Sequence, residues 1–428
     1  MKKIGILIVV LTVFSCTKTQ FDDYENSSGD ADFSNYVAVG NSLTQGYQDG
    51  GLHNENGQQD NSYPAIIARQ MGVSFIQPTI NGQGDSYMHL EYIDGEIEVI
   101  SAYDYDITNN HPSAIVPDNS WITWGDTTVK YNNLGISGIK LVNCLSGGNN
   151  TAINYNLLQT KYNVNGRFLN FGDEINPISY LDHVKRSNAT FFTNWLGNND
   201  ILGWSTEGGD DDDVVAVPGL KLTELSDLTE FRNKYDSILT AFYNMGAKGV
   251  CATLPDVTSI PYFNTVTLEA VDDDVWIREG ADTTIVRLAT GEDLLLLTAS
   301  DELANGIGKI QSKPLPHTVV LDKDEIVIVQ TRTNEINNAI KSLAAQYGFA
   351  LADMNRFMKT LTNTGLSFDG VDFAPTYIEG GLFSLDGVHP YTRGYAVIAN
   401  EFIRVINEFY GSNIPTVVVG DYRGITFP

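Results

Sequence analysis

The chain has 428 residues, 42% of them hydrophobic, with a formal net charge of −27. That apolar fraction supplies a sizeable core and excludes global disorder, and the acidic excess disfavours nucleic acid and anionic membrane faces as partners. The length exceeds one average domain but accommodates a single large α/β domain with insertions.

Lys2-Lys3 is a short basic segment and residues 4–14 an apolar one, too short for a bilayer span of about 20 residues. The run ends in Val13-Phe14-Ser15-Cys16. This resembles the lipobox of bacterial lipoproteins, with Phe14 bulkier than the usual pattern. The resemblance implies a signal peptide over 1–16 and acylation of Cys16. The expected protein is exported, an outer-membrane lipoprotein facing the periplasm or the cell surface. Its membrane contact would be the lipid anchor, at about 0.8 kcal/mol per buried methylene. Residues 17–32 are polar and acidic around Ser27-Ser28-Gly29 and read as a flexible tether. Their early acidic residues resemble the surface-export signals of Bacteroidetes-type lipoproteins. Cys144 and Cys251 are open to one disulfide or to two buried thiols.

From residue 33 onward the pattern is strand followed by helix, as in a parallel-sheet α/β fold. Residues 36–39, Tyr-Val-Ala-Val, read as a strand leading into Gly40-Asn41-Ser42-Leu43. A helix begins around 61–64, with Pro64 in its first turn, and Gly72 ends it. The largely apolar run over 191–196 suits a central buried strand. Ser226 or Asp227 caps a helix with Leu228, Phe231, Tyr235, Ile238, Leu239 and Phe242 at helical spacing, stopped by Gly246. A strand over 249–254, a helix over 333–347, a strand over 349–353 and a last helix over 392–410 follow. Residues 74–130 and 266–329 break the alternation and read as β-rich insertions on the core.

In doubly wound sheets, functional residues sit on loops at the carboxyl ends of strands. Four loops here carry suitable polar groups: Gly40-Asn41-Ser42-Leu43, Asn133-Leu134-Gly135-Ile136-Ser137-Gly138, Gly197-Asn198-Asn199-Asp200 and Asp386-Gly387-Val388-His389. Each alone reads as a turn or a helix cap. In this order, over about residues 33–411, they resemble the four blocks of the SGNH (GDSL-type) hydrolases, with Asn41 where that family usually has an aspartate. The resemblance implies a three-layer α/β/α sandwich with a mainly parallel, flavodoxin-like sheet. It also implies a serine hydrolase with no cofactor. By the family pattern Ser42 is the nucleophile, His389 the base and Asp386 the group that orients His389. Ser42 N–H, Gly138 N–H and the Asn199 amide are the oxyanion donors, with Gly135 the less favoured alternative to Gly138.

The chemistry requires these residue types. A serine hydroxyl needs a base within hydrogen-bond reach, and an imidazole takes and returns a proton near neutrality. A carboxylate beside it fixes the tautomer. The expected reaction is hydrolysis of carboxylic esters, on a lipid or an acylated glycan, through an acyl-enzyme on Ser42. Two alternatives stand beside it: a carbohydrate or peptidoglycan O-deacetylase using the same residues, and a non-catalytic surface-binding lipoprotein. No Gly-x-Ser-x-Gly elbow is present, which disfavours the α/β-hydrolase fold. His53, His89, His111, His183 and His317 read as ordinary loop residues, and the acidic run 210–213 as a solvated loop rather than a calcium site. Trp195, Trp204, Tyr262 and Phe263 are candidate pocket linings, Trp195 favoured as core. Pro255-Asp256-Val257-Thr258 reads as a structural turn that could shape the site. No Cys/His cluster has zinc spacing.

Overall fold

The computed structural model describes residues 27–79, 87–100, 129–145, 179–209, 224–280 and 285–428. Five strands form one parallel sheet: β1 (Tyr36–Gly40), β2 (Asn133–Gly135), β3 (Phe191–Trp195), β4 (Lys248–Ala252) and β5 (Ala350–Ala352). Parallel neighbours require long crossovers, and the helices used below are α1 (Ser42–Gln45), α2 (Tyr63–Met71), α3 (Tyr180–Arg186), α4 (Asn199–Thr206), α5 (Leu228–Asn244), α6 (Lys323–Tyr347), α7 (Met354–Thr364) and α8 (Thr392–Tyr410). The spatial order β5-β4-β3-β1-β2 steps outward from β1 to the edge and then returns to its other side. The order reverses between β1 and β3, and a crevice opens there at the carboxyl ends of the strands.

β3 shows how both faces are covered. Its side chains alternate, and all five residues are buried. Phe191 and Trp195 point to one layer, where the Trp195 ring meets Phe402 of α8 edge-on at 5.9 Å and Phe402 stacks on Tyr63 of α2 at 4.9 Å. Phe192 points to the other, stacking on Phe242 of α5 at 4.0 Å. α3 and α6 pack against α5 on that side. The result is the expected three-layer α/β/α sandwich. Gly249, paired with Phe192, makes room for this ring, since a Cβ there would lie 2.3 Å from it.

Several boundaries differ from the sequence reading. α6 begins at Lys323, ten residues before the expected 333, because Asp322 and Glu325 form a reciprocal capping box. The second insertion therefore ends at 322 rather than 329. It holds the antiparallel pairs Trp276–Arg278 with Val286–Leu288 and Leu294–Leu295 with Val320–Leu321, a helix Ala299–Ala304, and its own small apolar core around Ile277, Leu295 and Leu315. In the first insertion, His89–Ile93 and Glu96–Ile100 form a hairpin; residues 101–128 lie outside the described set. The tether expected over 17–32 is anchored in its last part: Asp30 N–H donates to the Tyr410 carbonyl at 2.8 Å and Asn413 N–H to that of Ser27 at 3.1 Å. Residues 1–26, with Cys16, lie outside the described residues, as do His111 and the run 210–213. Cys144 and Cys251 are buried free thiols. Among the described residues no helix is long and apolar enough to cross a membrane.

Candidate active site

The serine stands where a strand turns directly into a helix. That turn leaves no room for side chains on the strand ends: a Cβ on Gly40 would lie 1.9 Å from Thr44 Oγ1, and one on Gly135 would lie 2.4 Å from Gln45 N. Asn41, fully buried, caps α1, its Oδ1 accepting from Leu43 N–H at 3.1 Å. The amide thus braces the loop where the family usually has a carboxylate, although its Nδ2 has no partner among the described residues. Ser42 is the first helical residue, so its backbone N–H has no intrahelical acceptor. The buried Tyr180 hydroxyl ties this turn to the edge strand, accepting from Gly40 N–H at 3.1 Å and donating to the Leu134 carbonyl at 2.7 Å.

Ser42, Asp386 and His389 come together as one hydrogen-bonded chain. His389 Nε2 lies 2.8 Å from Ser42 Oγ and Nδ1 lies 2.8 Å from Asp386 Oδ2. An ionised carboxylate only accepts, so Nδ1 carries the proton and Nε2 is free to accept from the serine hydroxyl. Burial pushes the Asp386 carboxyl up, but His389 and the backbone N–H groups of residues 388 and 389 outweigh it and hold the pKa down at about 2. The loop itself is closed by Ser384 N–H to the His389 carbonyl at 2.7 Å and by Tyr262 N–H to the Gly387 carbonyl at 3.0 Å.

The second and third blocks are fastened to α1 and to each other. Asn133 Nδ2 donates to the Thr44 carbonyl at 2.8 Å, and Gln45 Oε1 accepts from Ser137 N–H and its hydroxyl at 2.8 and 2.6 Å. Asn199 Nδ2 donates to the Ile139 carbonyl at 3.0 Å, leaving its second amide hydrogen uncommitted. Next to it, buried Asp200 accepts from Leu141 N–H and the Ser226 hydroxyl. Burial raises its pKa to about 6, against the pull of those donors and two lysines. The aspartate of the third block is therefore a structural clamp. Gly138 is exposed in a left-handed turn, φ +77°, and its N–H donates to no described residue.

Ser42, Asn199 and His389 line one cavity; Gly138 lies outside its lining. Apart from the Asn41 and Asn198 amides, the rest of its wall is hydrocarbon and comes from around the other core strands: Leu43, Trp195, Leu202, Val257, Phe357 and Met358 are representative. Trp195 is thus both core and wall, and Pro255 and Val257 of the turn after β4 also contribute. Trp204, Tyr262 and Phe263 do not line it. Asn337 of α6 holds the turn by a two-way clamp, accepting from Leu254 N–H at 2.7 Å and donating to its carbonyl at 2.9 Å. Gln45, Tyr180 and Asn337 carry no local sequence signal for these tasks. Among the described residues, no group of three His, Cys, Asp or Glu is placed to hold a metal.

A switch-point crevice with a Ser-His-Asp chain and uncommitted N–H donors defines an ester-hydrolase class of site. The chain belongs to the GDSL-like lipase/acylhydrolase family, whose model matches residues 36–402, and it is an ester-hydrolysing enzyme. Two crystal structures are similar to it. One is a GDSL-like lipase from Parabacteroides merdae, with 13% identity, 87% of this chain and 94% of that chain covered, and a TM-score of 0.33. The other is an acetyl-xylooligosaccharide esterase from Geobacillus stearothermophilus, with 11% identity, 88% and 96% covered, and a TM-score of 0.34. No curated protein sequence matches the chain.

Proposed function

We propose that the chain is a serine esterase that cleaves carboxylic esters of hydrocarbon acyl groups longer than acetyl, through an acyl-enzyme on Ser42. The apolar cavity opening on Ser42 and His389 carries this reading: an acetyl group has almost nothing to bury there, whereas each methylene added to it gains about 0.8 kcal/mol. Ser42 Oγ attacks the ester carbonyl as its proton passes to His389 Nε2, and Asp386 stabilises the imidazolium that forms. The oxyanion receives hydrogen bonds from Ser42 N–H and the free amide hydrogen of Asn199, while Gly138 N–H, on the exposed turn outside the cavity lining, is the third donor by the family pattern alone. His389 then returns the proton to the departing alcohol, and water, activated the same way, releases the acid.

The test is a series of p-nitrophenyl esters. Over the acetyl, butyryl and hexanoyl esters kcat/KM should rise by about tenfold or more, since a methylene in such a pocket is worth about 1–3 kcal/mol. Ser42→Ala should abolish turnover and labelling by a fluorophosphonate. A preference for acetyl esters would favour O-deacetylation, and a wild-type chain that refuses the fluorophosphonate would favour a binding protein. Export and a lipid anchor on Cys16 are part of the same reading and rest on residues 2–16. Cys16→Ala should move the protein from the membrane to the soluble fraction; an unchanged distribution would remove the anchor.

A further inference from the structure

We propose that Asp49 is a positioning residue for this reaction: its side chain holds residues 384–386 in the register at which Asp386 meets His389. The inference rests on the serine-hydrolase reading above. Asp49 follows α1 in a tight turn closed by the Gln48–Gly51 pairing. It is 3% exposed and has φ +54°, a left-handed backbone that Asp and Asn tolerate better than most residues. A buried non-glycine residue held there is a reason to look for a task.

The task is visible in the bonds between the two segments. Asp49 Oδ1 accepts from Leu385 N–H at 3.0 Å, and Asp49 N–H donates to Ser384 Oγ at 2.9 Å. The Ser384 hydroxyl then donates to Asp386 Oδ1 at 3.0 Å, and Gly50 N–H donates to Asp386 Oδ2 at 3.0 Å. Residues 49 and 50 thus grip three consecutive positions of the loop. Asp386 receives five hydrogen bonds in all: from Ser384 Oγ, Val388 N and His389 N on Oδ1, and from Gly50 N and His389 Nδ1 on Oδ2. None of these partners can turn the carboxylate without losing another. Asp49 shares no hydrogen bond with Ser42 or His389 among the described residues, so it acts through the backbone next to Asp386. Without its side chain, Leu385 N–H is left buried and unsatisfied, which a shift of the loop would relieve, and a displacement of about 1 Å at a reacting group is enough to lose about 100-fold in rate.

Three variants test this on p-nitrophenyl butyrate. Asp49→Gly keeps the left-handed backbone and removes the acceptor: kcat should fall about 10- to 100-fold with KM within about twofold of wild type. Asp49→Asn keeps an acceptor oxygen and should recover kcat to within about threefold. Ser384→Ala should lower kcat by about tenfold, and combined with Asp49→Gly should cost less than the product of the two, because both act on Asp386. An Asp49→Gly enzyme with wild-type kcat, a loss confined to KM, or an Asn variant as slow as the Gly variant would each overturn the proposal. If Asp49→Gly fails to fold, the Asn variant and Ser384→Ala decide: a slow Asn variant, or Ser384→Ala at wild-type kcat, overturns it. Failure of the underlying reading looks different, because Ser42→Ala would then retain turnover whatever happens at residue 49.

Discussion

The loop carrying Asp386 and His389 separates two unlike environments. In front of it lies the hydrocarbon cavity that meets Ser42. Behind it, Gln48, Asp49, His53, Tyr391 and Arg423 line a polar cavity of about 220 Å³. The contrast separates two demands of the chemistry. The front must keep water away from a forming oxyanion, where each donor is worth more in a low dielectric. The rear must hold one carboxylate in one orientation, which only polar partners can do. His53 Nε2 and Asp49 Oδ2 lie 4.0 Å apart; burial pulls the histidine down to about 3 and pushes the carboxyl up to about 8, which favours the neutral form of both near pH 7. Asp386 is then the charge that faces His389.

The most severe way to break this division is to neutralise Asp386. Asp386→Asn keeps the shape but allows the wrong imidazole tautomer, and kcat should drop roughly 10⁴-fold; a loss under tenfold in steady-state kinetics would remove Asp386 from the chain. Asn199→Ala deletes the proposed oxyanion donor in front and should lower kcat by about 10²–10³ with little change in KM. Narrowing the front cavity sharpens the contrast: Leu202→Trp should lower kcat/KM for the hexanoyl ester by about 10–100-fold, while the acetyl ester loses far less. Equal losses on both esters would place the acyl chain elsewhere.

The smallest effect is a pH dependence of stability set at the rear. Between about pH 4 and pH 8 folded Asp49 keeps a proton that the unfolded chain has released, so this group makes stability fall as pH rises. His53 acts in the opposite sense between about pH 3 and pH 6.5: there the unfolded chain is the form that takes up the proton, and stability rises with pH. Asp49→Asn removes the first contribution and leaves the second. Its melting temperature relative to wild type should therefore climb between pH 5 and pH 8, by about one to a few degrees. A constant difference by scanning calorimetry would mean that Asp49 is already ionised in the folded protein.

The elements that were legible in the sequence have strong local signals. The last helix matches its expected span, 392–410, because one long apolar stripe runs between a proline and a glycine. The start of α6 was equally marked, by Asp322 and Glu325, but the alternating residues before it favoured a strand reading. Four short blocks sufficed to bring together Ser42, His389, Asp386 and Asn199 as candidates. What supports them was not legible. Tyr180 reaches Gly40 across 140 residues, Asn337 reaches Leu254 across 83, and Asp49 reaches Leu385 across 336. A single sequence has no periodicity at such separations, so these partners emerge only once the sheet order is known. Asp49, inside Gln48-Asp49-Gly50, carries no local pattern that sets it apart from other turn residues.

The anchoring of Ser27 and Asp30 at the far end of α8 has a consequence for how the molecule meets its surroundings. α8 starts three residues after His389 and runs 19 residues, about 28 Å. Its last residue, Tyr410, binds Gly249 at the start of β4, on the opposite rim of the sheet from Ser42. Ser27 and Asp30 are therefore held at the back of the enzyme, the length of α8 away from His389. A partner seated on Ser27 or Asp30 would meet the rim away from the cavity and leave Ser42 and His389 uncovered.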